Sequence, residues 1–486
     1  MASLLPRKSA KSLGLNESAI IKLVDELERN GVNSYIIAHN GEVVSEGYWD
    51  PFVPDLTHQV NSVTKTYASL AIGIAADEGL LTIDDYVLSF FPDRLPAGPC
   101  DNMKKLKIRH LLTMTVGHDE QIEMYWTVSK LLPEDRNNGK DFLQHFLTSY
   151  IAYEPGTKFL YNTPGSYMLG AILKQVTGKT LVEYLQPRLF EPLGMKNIYA
   201  ETDANGLNAS GWGFQLTTED LAKLGLLLLN KGKWNGKQLV SEKYIEQATS
   251  KQTETNLSPP SQWGVGYGFQ LWRCNDGKSF RADGLYGQFS VVTPHLNSVV
   301  AVTSASDNTG AILDAILSSV NELFGEKSKG SLGVDKLQVS SLEEKNKSLQ
   351  IKLTKGQPLS SYSIQSKEKY RLANNPLGLS SFTLDLAASK LIVGRKGKEA
   401  VITIGEGKWI RNKNGEDLIG RADFFGDTAA TGAIVDGQVL IQVAHLKTNY
   451  TDTLKFKTNG YNLVGNLKRV AWVSPVDFEL IGVRID

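Results

Sequence analysis

Ser62 and Lys65 stand three residues apart, just before an apolar run that begins at Tyr67 and closes at Gly79. Apolar residues at helical spacing followed by a glycine predict a helix here, with the serine and the lysine in its first turn. Residues three apart share a helix face, so the hydroxyl of one can meet the amine of the other. A first turn also carries unpaired backbone N–H groups and the positive end of the helix dipole, which stabilise negative charge. An alcohol is a poor nucleophile at neutral pH, but a lysine that burial keeps neutral can take its proton. The pair is therefore arranged as a serine nucleophile needs, with Lys65 placed to take its proton. A four-residue pattern recurs by chance in long chains, so it gains weight only from other segments that fit the same chemistry.

Two such segments follow. Residues from Glu154 to Gly178 read as a turn, a short extended piece ending near Tyr161, and an apolar helix stopped by Gly178. Residues from Phe280 to Pro294 read as a glycine-bearing stretch leading into a β-branched strand. With Ser62-Val-Thr-Lys65, Tyr161-Asn-Thr163 and Ala282-Asp-Gly284 in this order, the chain resembles the serine β-lactamase and penicillin-binding protein superfamily. The nearest branch is the class C-like one of esterases, amidases and D-peptidases. The resemblance spans roughly residues 15 to 325, including Ile108-Arg-His-Leu-Leu-Thr-Met-Thr-Val-Gly-His118 and Leu189-Phe-Glu-Pro-Leu-Gly-Met195.

The resemblance implies roles position by position. Ser62 corresponds to the acylated serine, Lys65 to the proton-accepting lysine, and Tyr161 to the tyrosine of the Tyr-x-Asn motif, which shuttles a proton to the leaving group. Thr163 stands where that motif has asparagine. Ala282, Asp283 and Gly284 stand where the family has Lys-Thr-Gly or His-x-Gly, so the cation that holds a substrate carboxylate is missing. Arg281 precedes the motif, but in an alternating strand its side chain faces away from that of Ala282. Gly284 allows close backbone approach, and the N–H groups of Ser62 and Leu285 would form the oxyanion hole. The phrase Asp283-Gly-Leu-Tyr-Gly-Gln288 looks like the version in amide and ester hydrolases of this branch. Thr163, Asp283, Gly284 and Tyr286 are therefore candidate substrate-binding residues, Asp283 either for a cationic group or as a carboxylate satisfied by nearby backbone donors. His118, Trp126 and Trp212 are further candidates for the cleft wall. Trp126 lies in the polar, turn-rich run from Asp119 to Lys140, which reads as a lid or a peripheral helical hairpin.

The expected activity is hydrolysis of a small-molecule ester or amide. The alternatives are a β-lactamase or a D-amino-acid-specific carboxypeptidase or aminopeptidase, and, in another class, a non-catalytic acyl-binding receptor. No cofactor is expected. The seven histidines show no metal-ligand spacing and there are only two cysteines, Cys100 and Cys274. With 52 basic and 52 acidic residues the formal charge is zero and no basic stripe stands out, which disfavours nucleic-acid and membrane partners. No secretory or membrane-spanning run is evident, and two cysteines make too few for a disulfide framework, so a cytoplasmic setting is expected unless a signal has been removed.

A chain of 486 residues exceeds one usual core. The sequence predicts an α+β catalytic part over residues 1–325: an α/β sandwich on a central antiparallel sheet, with strands from Ser34 to Trp49 and from Gly266 to Ser304 and a helical subdomain between them. A mobile polar connection is expected from Gly325 to Gly333, within a linker over 326–347. Short alternating segments over 348–486, such as Ser380 to Leu386 and Gln438 to Val443, predict a small all-β domain. That domain resembles the lipocalin-like barrel of some relatives and is a candidate surface for homo-oligomers.

Overall fold

The computed structural model describes residues 4–95, 98–120, 141–203, 205–255, 261–325, 341–362, 367–413, 426–470 and 476–485. A six-stranded antiparallel sheet runs in the order Glu42–Tyr48, Val32–His39, Ser298–Ser304, Gln288–Thr293, Phe280–Gly284, Trp272–Arg273. Strand Val32–His39 thus pairs with Ser298–Ser304 from the far end of the catalytic part, Ile37 opposite Val300. Both faces of this sheet are covered. Helices Glu17–Arg29 and Thr309–Phe324 bury Leu23, Val24, Ile312 and Ile316 against Val291, Val300 and Val302 on one face. On the other face, helix Thr218–Leu229 and the helical body bury Leu221, Leu224, Tyr67 and Phe214 with Ala282, Val292 and Ala301. A strand covered on both faces reads as continuous apolar sequence, as Ser298-Val-Val-Ala-Val-Thr-Ser304 does.

Helix Thr64–Asp77 is the pivot of the helical body. Every side chain from Thr64 to Ala75 is buried, so this helix is enclosed on all sides. It stops as the sequence predicts, with Gly79 in the left-handed region at φ 72°. Helix Thr163–Thr177 starts on the Asn162 side chain, which accepts from the N–H of Gly165, and ends at left-handed Gly178.

The C-terminal part is a ten-stranded antiparallel sheet around its own core of Leu384, Val393, Ile441, Leu454 and Phe456. Its end strands, Lys398–Thr403 and Ile410–Asn412, meet through the Asn412 amide, which bonds the N–H and C=O of Thr403 at 2.8 and 3.0 Å, so the sheet nearly closes. The expected mobile connection falls on residues 326–333, which lie outside the described residues. Residues Leu342–Lys347 form a helix with a Ser341–Glu344 capping box. Leu342 and Leu349 enter the core beside Val44 and Tyr35, and the Tyr35 hydroxyl donates to Asn346 at 2.8 Å. Burial of these two leucines anchors the segment beside the central sheet. Among the described residues no helix is long and apolar enough to cross a membrane.

Candidate active site

Ser62 lies in a single 3-10 turn, Asn61–Val63, that feeds directly into helix Thr64–Asp77. The turn is pinned from both sides. The Thr64 hydroxyl donates to the Asn61 carbonyl at 2.7 Å and accepts from the N–H of Phe214 at 3.1 Å. Asn61 is left-handed at φ 47°, and its amide donates to the Leu285 carbonyl at 2.9 Å. The Lys65 amine sits 3.0 Å from the Ser62 hydroxyl oxygen and donates to the Gly211 carbonyl at 2.5 Å. Burial drives the Lys65 ammonium down to about 7, with the Asp283 carboxylate pulling the other way. A fixed carbonyl acceptor and a serine hydroxyl together suit a neutral amine, which has N–H groups to donate and one lone pair to accept the serine proton.

Tyr161 reaches this pair from the other side of the cleft, with its ring centroid 5.1 Å from the Lys65 nitrogen. It is held face to face with Trp272 at 5.6 Å and edge-on to Tyr267 at 6.4 Å. Thr163, two residues on, packs its methyl against Gly211, where an added Cβ would lie 2.8 Å from that methyl and 3.6 Å from the lysine nitrogen. Gly211 is therefore a residue that the sequence reading missed. The signal was available in Ser210-Gly-Trp-Gly213, but the tryptophan drew attention instead of the glycine beside it.

Gly284 ends strand Phe280–Gly284 against the segment before Ser62. A Cβ there would stand 2.2 Å from the Val60 carbonyl oxygen and 2.9 Å from the Gln288 Cβ. Space, not backbone conformation, demands the glycine. Gly284→Ala is expected to cost about 1–3 kcal/mol of stability, as overpacking does, and to lower hydrolysis. Urea unfolding with an ester assay checks this, and an unchanged midpoint and rate would show that the strand and Val60 separate freely. Leu285 follows on an exposed turn, 42% open. Neither its N–H nor that of Ser62 donates to a protein acceptor among the described residues. Two unpaired amides flanking a hydroxyl are what an oxyanion needs.

Asp283 and Arg281 share the opposite face of the strand from Ala282, as alternation requires. Arg281 is wholly buried; its Nε donates to Asp283 at 2.8 Å, and its other nitrogens reach the carbonyls of Arg273 and Gln262. Trp263 donates to the same Asp283 oxygen at 2.8 Å. Burial pushes the Asp283 carboxyl up, opposed by the Arg281 guanidinium. The carboxylate is thus answered inside the protein, by side-chain donors rather than the backbone donors expected. Ala282 is fully buried on the face toward helix Thr64–Asp77, where the family cation would reach.

Three candidates need correction. His118 does not line the cleft. It is 1% exposed; the Asn162 amide donates to its Nδ1 at 2.8 Å, so Nε2 carries the proton and donates to the Ser149 hydroxyl at 2.9 Å. Burial pushes it down to about 4, so it is a neutral strut behind the Tyr161–Thr163 segment. Trp212 is sunk in the helical core with its N–H on Glu201 at 3.2 Å, supporting the Gly211 loop from behind. Tyr286 is also closed to solvent, at 6%, in the left-handed region at φ 66°. Its ring meets Tyr450 from the C-terminal sheet, so it too offers no cleft wall. Trp126 lies outside the described residues.

A buried lysine on a serine at a helix start, facing an aromatic-clamped tyrosine and a glycine strand end, defines a class. The chain belongs to the beta-lactamase family, whose model, described as Beta-lactamase, matches residues 17–317. It is a serine hydrolase of that family. Among its relatives, the 6-aminohexanoate-dimer hydrolase of Paenarthrobacter ureafaciens is 25% identical over 298 residues, covering 58% of this chain and 75% of that one. Among solved structures, a candidate 6-aminohexanoate-dimer hydrolase from Bacillus anthracis superposes with a TM-score of 0.55 at 21% identity, covering 66% of this chain and 88% of that one. The octameric penicillin-binding protein homologue from Pyrococcus abyssi matches with a TM-score of 0.51 at 17% identity and covers 96% of this chain and 99% of that one. That likeness of fold extends through the C-terminal sheet.

Proposed function

We propose that the protein hydrolyses carboxylic esters or amides through a covalent acyl-enzyme on Ser62. The observation that carries this reading is the Lys65 amine, buried, 3.0 Å from the Ser62 hydroxyl and pushed down to about 7. At neutral pH a large fraction of it is free base, where an ordinary lysine is almost wholly protonated. The Ser62 oxygen attacks the acyl carbon as its proton passes to Lys65. The carbonyl oxygen takes the negative charge between the N–H groups of Ser62 and Leu285. Collapse breaks the bond to the leaving group, which takes the proton back from Lys65 with Tyr161 sharing it. Water then repeats the sequence on the acyl-enzyme and restores Ser62. The name of the Paenarthrobacter relative, a hydrolase of 6-aminohexanoate dimer, supports amides among the substrates.

Specificity follows from what the cleft lacks. With Ala282 buried where a cation would hold a carboxylate, and Arg281 committed to Asp283, this strand offers an anionic substrate group no partner among the described residues. Leaving a polar group unpaired costs about 1–3 kcal/mol, and more for a charge. p-Nitrophenyl butyrate is therefore expected to be turned over with a kcat/KM at least about tenfold above benzylpenicillin, since 1.4 kcal/mol is a factor of ten. Equal efficiencies for the two would reverse the reading toward a β-lactamase.

A further inference from the structure

We propose that the hairpin turn Leu446–Asn449 of the C-terminal sheet, together with Tyr450, is a positioning element of the Ser62 site. It holds the N–H groups of Ser62 and Leu285 at the spacing that an oxyanion requires. The inference rests on the acyl-enzyme reading above and goes further by giving the second domain a part in the reaction.

The turn joins strands Gln438–His445 and Tyr450–Thr458 and leaves its own barrel to touch both halves of the donor pair. On one side, the Lys447 carbonyl accepts from the N–H of Gln59 at 2.9 Å. Gln59 ends the short strand His58–Gln59, three residues before Ser62, and the N–H of the next residue, Val60, is tied to the Phe214 carbonyl at 3.0 Å. On the other side, the Tyr450 ring meets the Tyr286 ring edge to face, with centroids 6.5 Å apart, and both are nearly closed to solvent.

Tyr286 directly follows Leu285, and its left-handed backbone is one that a bulky side chain keeps only when its surroundings impose it. Its carbonyl accepts from the Ser304 hydroxyl, from the Ser306 N–H at 3.3 Å and from the Gln288 amide at 3.3 Å, while Tyr450 closes on its ring. Those contacts hold the peptide after Tyr286, the Asn61 amide holds the Leu285 carbonyl before it at 2.9 Å, and the turn that presents the Leu285 N–H is thus held from both sides.

The hairpin is stiff enough to serve as such a reference. At its base Arg469 donates to both oxygens of Asp452, at 2.5 and 2.6 Å, and His445 lies 2.9 Å from the same carboxylate, all three wholly or almost wholly buried. At its tip Asn449 is fully closed to solvent and its amide has no hydrogen-bond partner among the described residues. One rigid hairpin thus braces the approach to Ser62 and the turn carrying Leu285 together.

The test uses the full chain with Tyr450→Ala and Tyr450→Phe, read by ester turnover and by inhibition with phenylboronic acid, whose tetrahedral adduct on serine places an oxygen between the two N–H groups. Losing one oxyanion donor costs roughly 100- to 1000-fold in kcat, so a donor that is loosened but still present should cost about 10- to 100-fold. Tyr450→Ala is expected to lose that factor in kcat, to weaken boronate inhibition by a similar factor, and to leave KM within about threefold. Tyr450→Phe, which keeps the ring, should restore both to near the unaltered values. Should Tyr450→Ala not fold, Tyr450→Leu and Asn449→Gly loosen the same hairpin and are read the same way. Unchanged boronate inhibition and kcat in the folded variants would overturn the inference. Failure of the acyl-enzyme reading would look different: the unaltered protein would then carry no fluorophosphonate adduct on Ser62.

Discussion

Ser62→Ala is expected to lower ester hydrolysis by roughly four to six orders of magnitude while leaving the fold intact, as loss of a covalent nucleophile does elsewhere. The loss should be this large because the rest of the site is arranged around that oxygen. Once the hydroxyl is gone, the Lys65 amine has no oxygen to deprotonate and the two unpaired N–H groups have no serine-bound adduct to stabilise. At about 1.4 kcal/mol per tenfold, the effect amounts to roughly 5 to 8 kcal/mol of barrier. Ser62 itself is only partly buried and its hydroxyl meets only Lys65 among the described residues, so thermal unfolding should hardly change. The check is turnover together with intact-protein mass spectrometry after exposure to p-nitrophenyl esters. Near-normal turnover in a folded Ser62→Ala protein would remove Ser62 from the mechanism.

The second large effect is on proton transfer. Lys65→Ala should abolish acylation, and in the unaltered protein acylation should follow the free-base form of Lys65. Below about 7 the buried ammonium holds its proton and the rate falls close to tenfold per pH unit; above about 7 it levels off. Asp283 raises the lysine and burial lowers it, so Asp283→Asn should move the acid limb to lower pH. The apparent value belongs to the Ser62, Lys65 and Tyr161 cluster, so Tyr161→Phe should slow both acylation and deacylation and also displace the limb. Rapid-quench acylation rates from pH 5 to 9 measure this. A flat profile across that range would exclude Lys65 as the base, and full turnover in Tyr161→Phe would exclude the tyrosine.

Much of this was legible in the chain because it is local. The contact between Ser62 and Lys65 follows from one turn of helix, and the helix stops at Gly79 because the apolar spacing ends there. Helix Thr163–Thr177 announces itself through its apolar spacing and the glycine that stops it, Gly178. The C-terminal strands show in the alternation of residues such as Lys390–Arg395 and Gln438–His445. The shared face of Arg281 and Asp283 was equally readable from alternation, though their pairing was not drawn from it.

What the sequence by itself determined, then, is the inventory and its short-range geometry: a nucleophile beside an amine, a tyrosine before a helix, a glycine at a strand end, and a second body of alternating strands. Tertiary structure alone decided the rest. The Gly211 carbonyl that orients Lys65 lies 146 residues away in sequence, and the hairpin that touches Gln59 and Tyr286 belongs to another sheet. His118, at the end of a family phrase, became a strut because the chain folded Asn162 and Ser149 onto its two nitrogens. The low proton affinity of Lys65 is likewise no property of the residue or its neighbours in sequence. It comes from excluding water on every side, a sum over residues that meet only once both faces of the central sheet are covered.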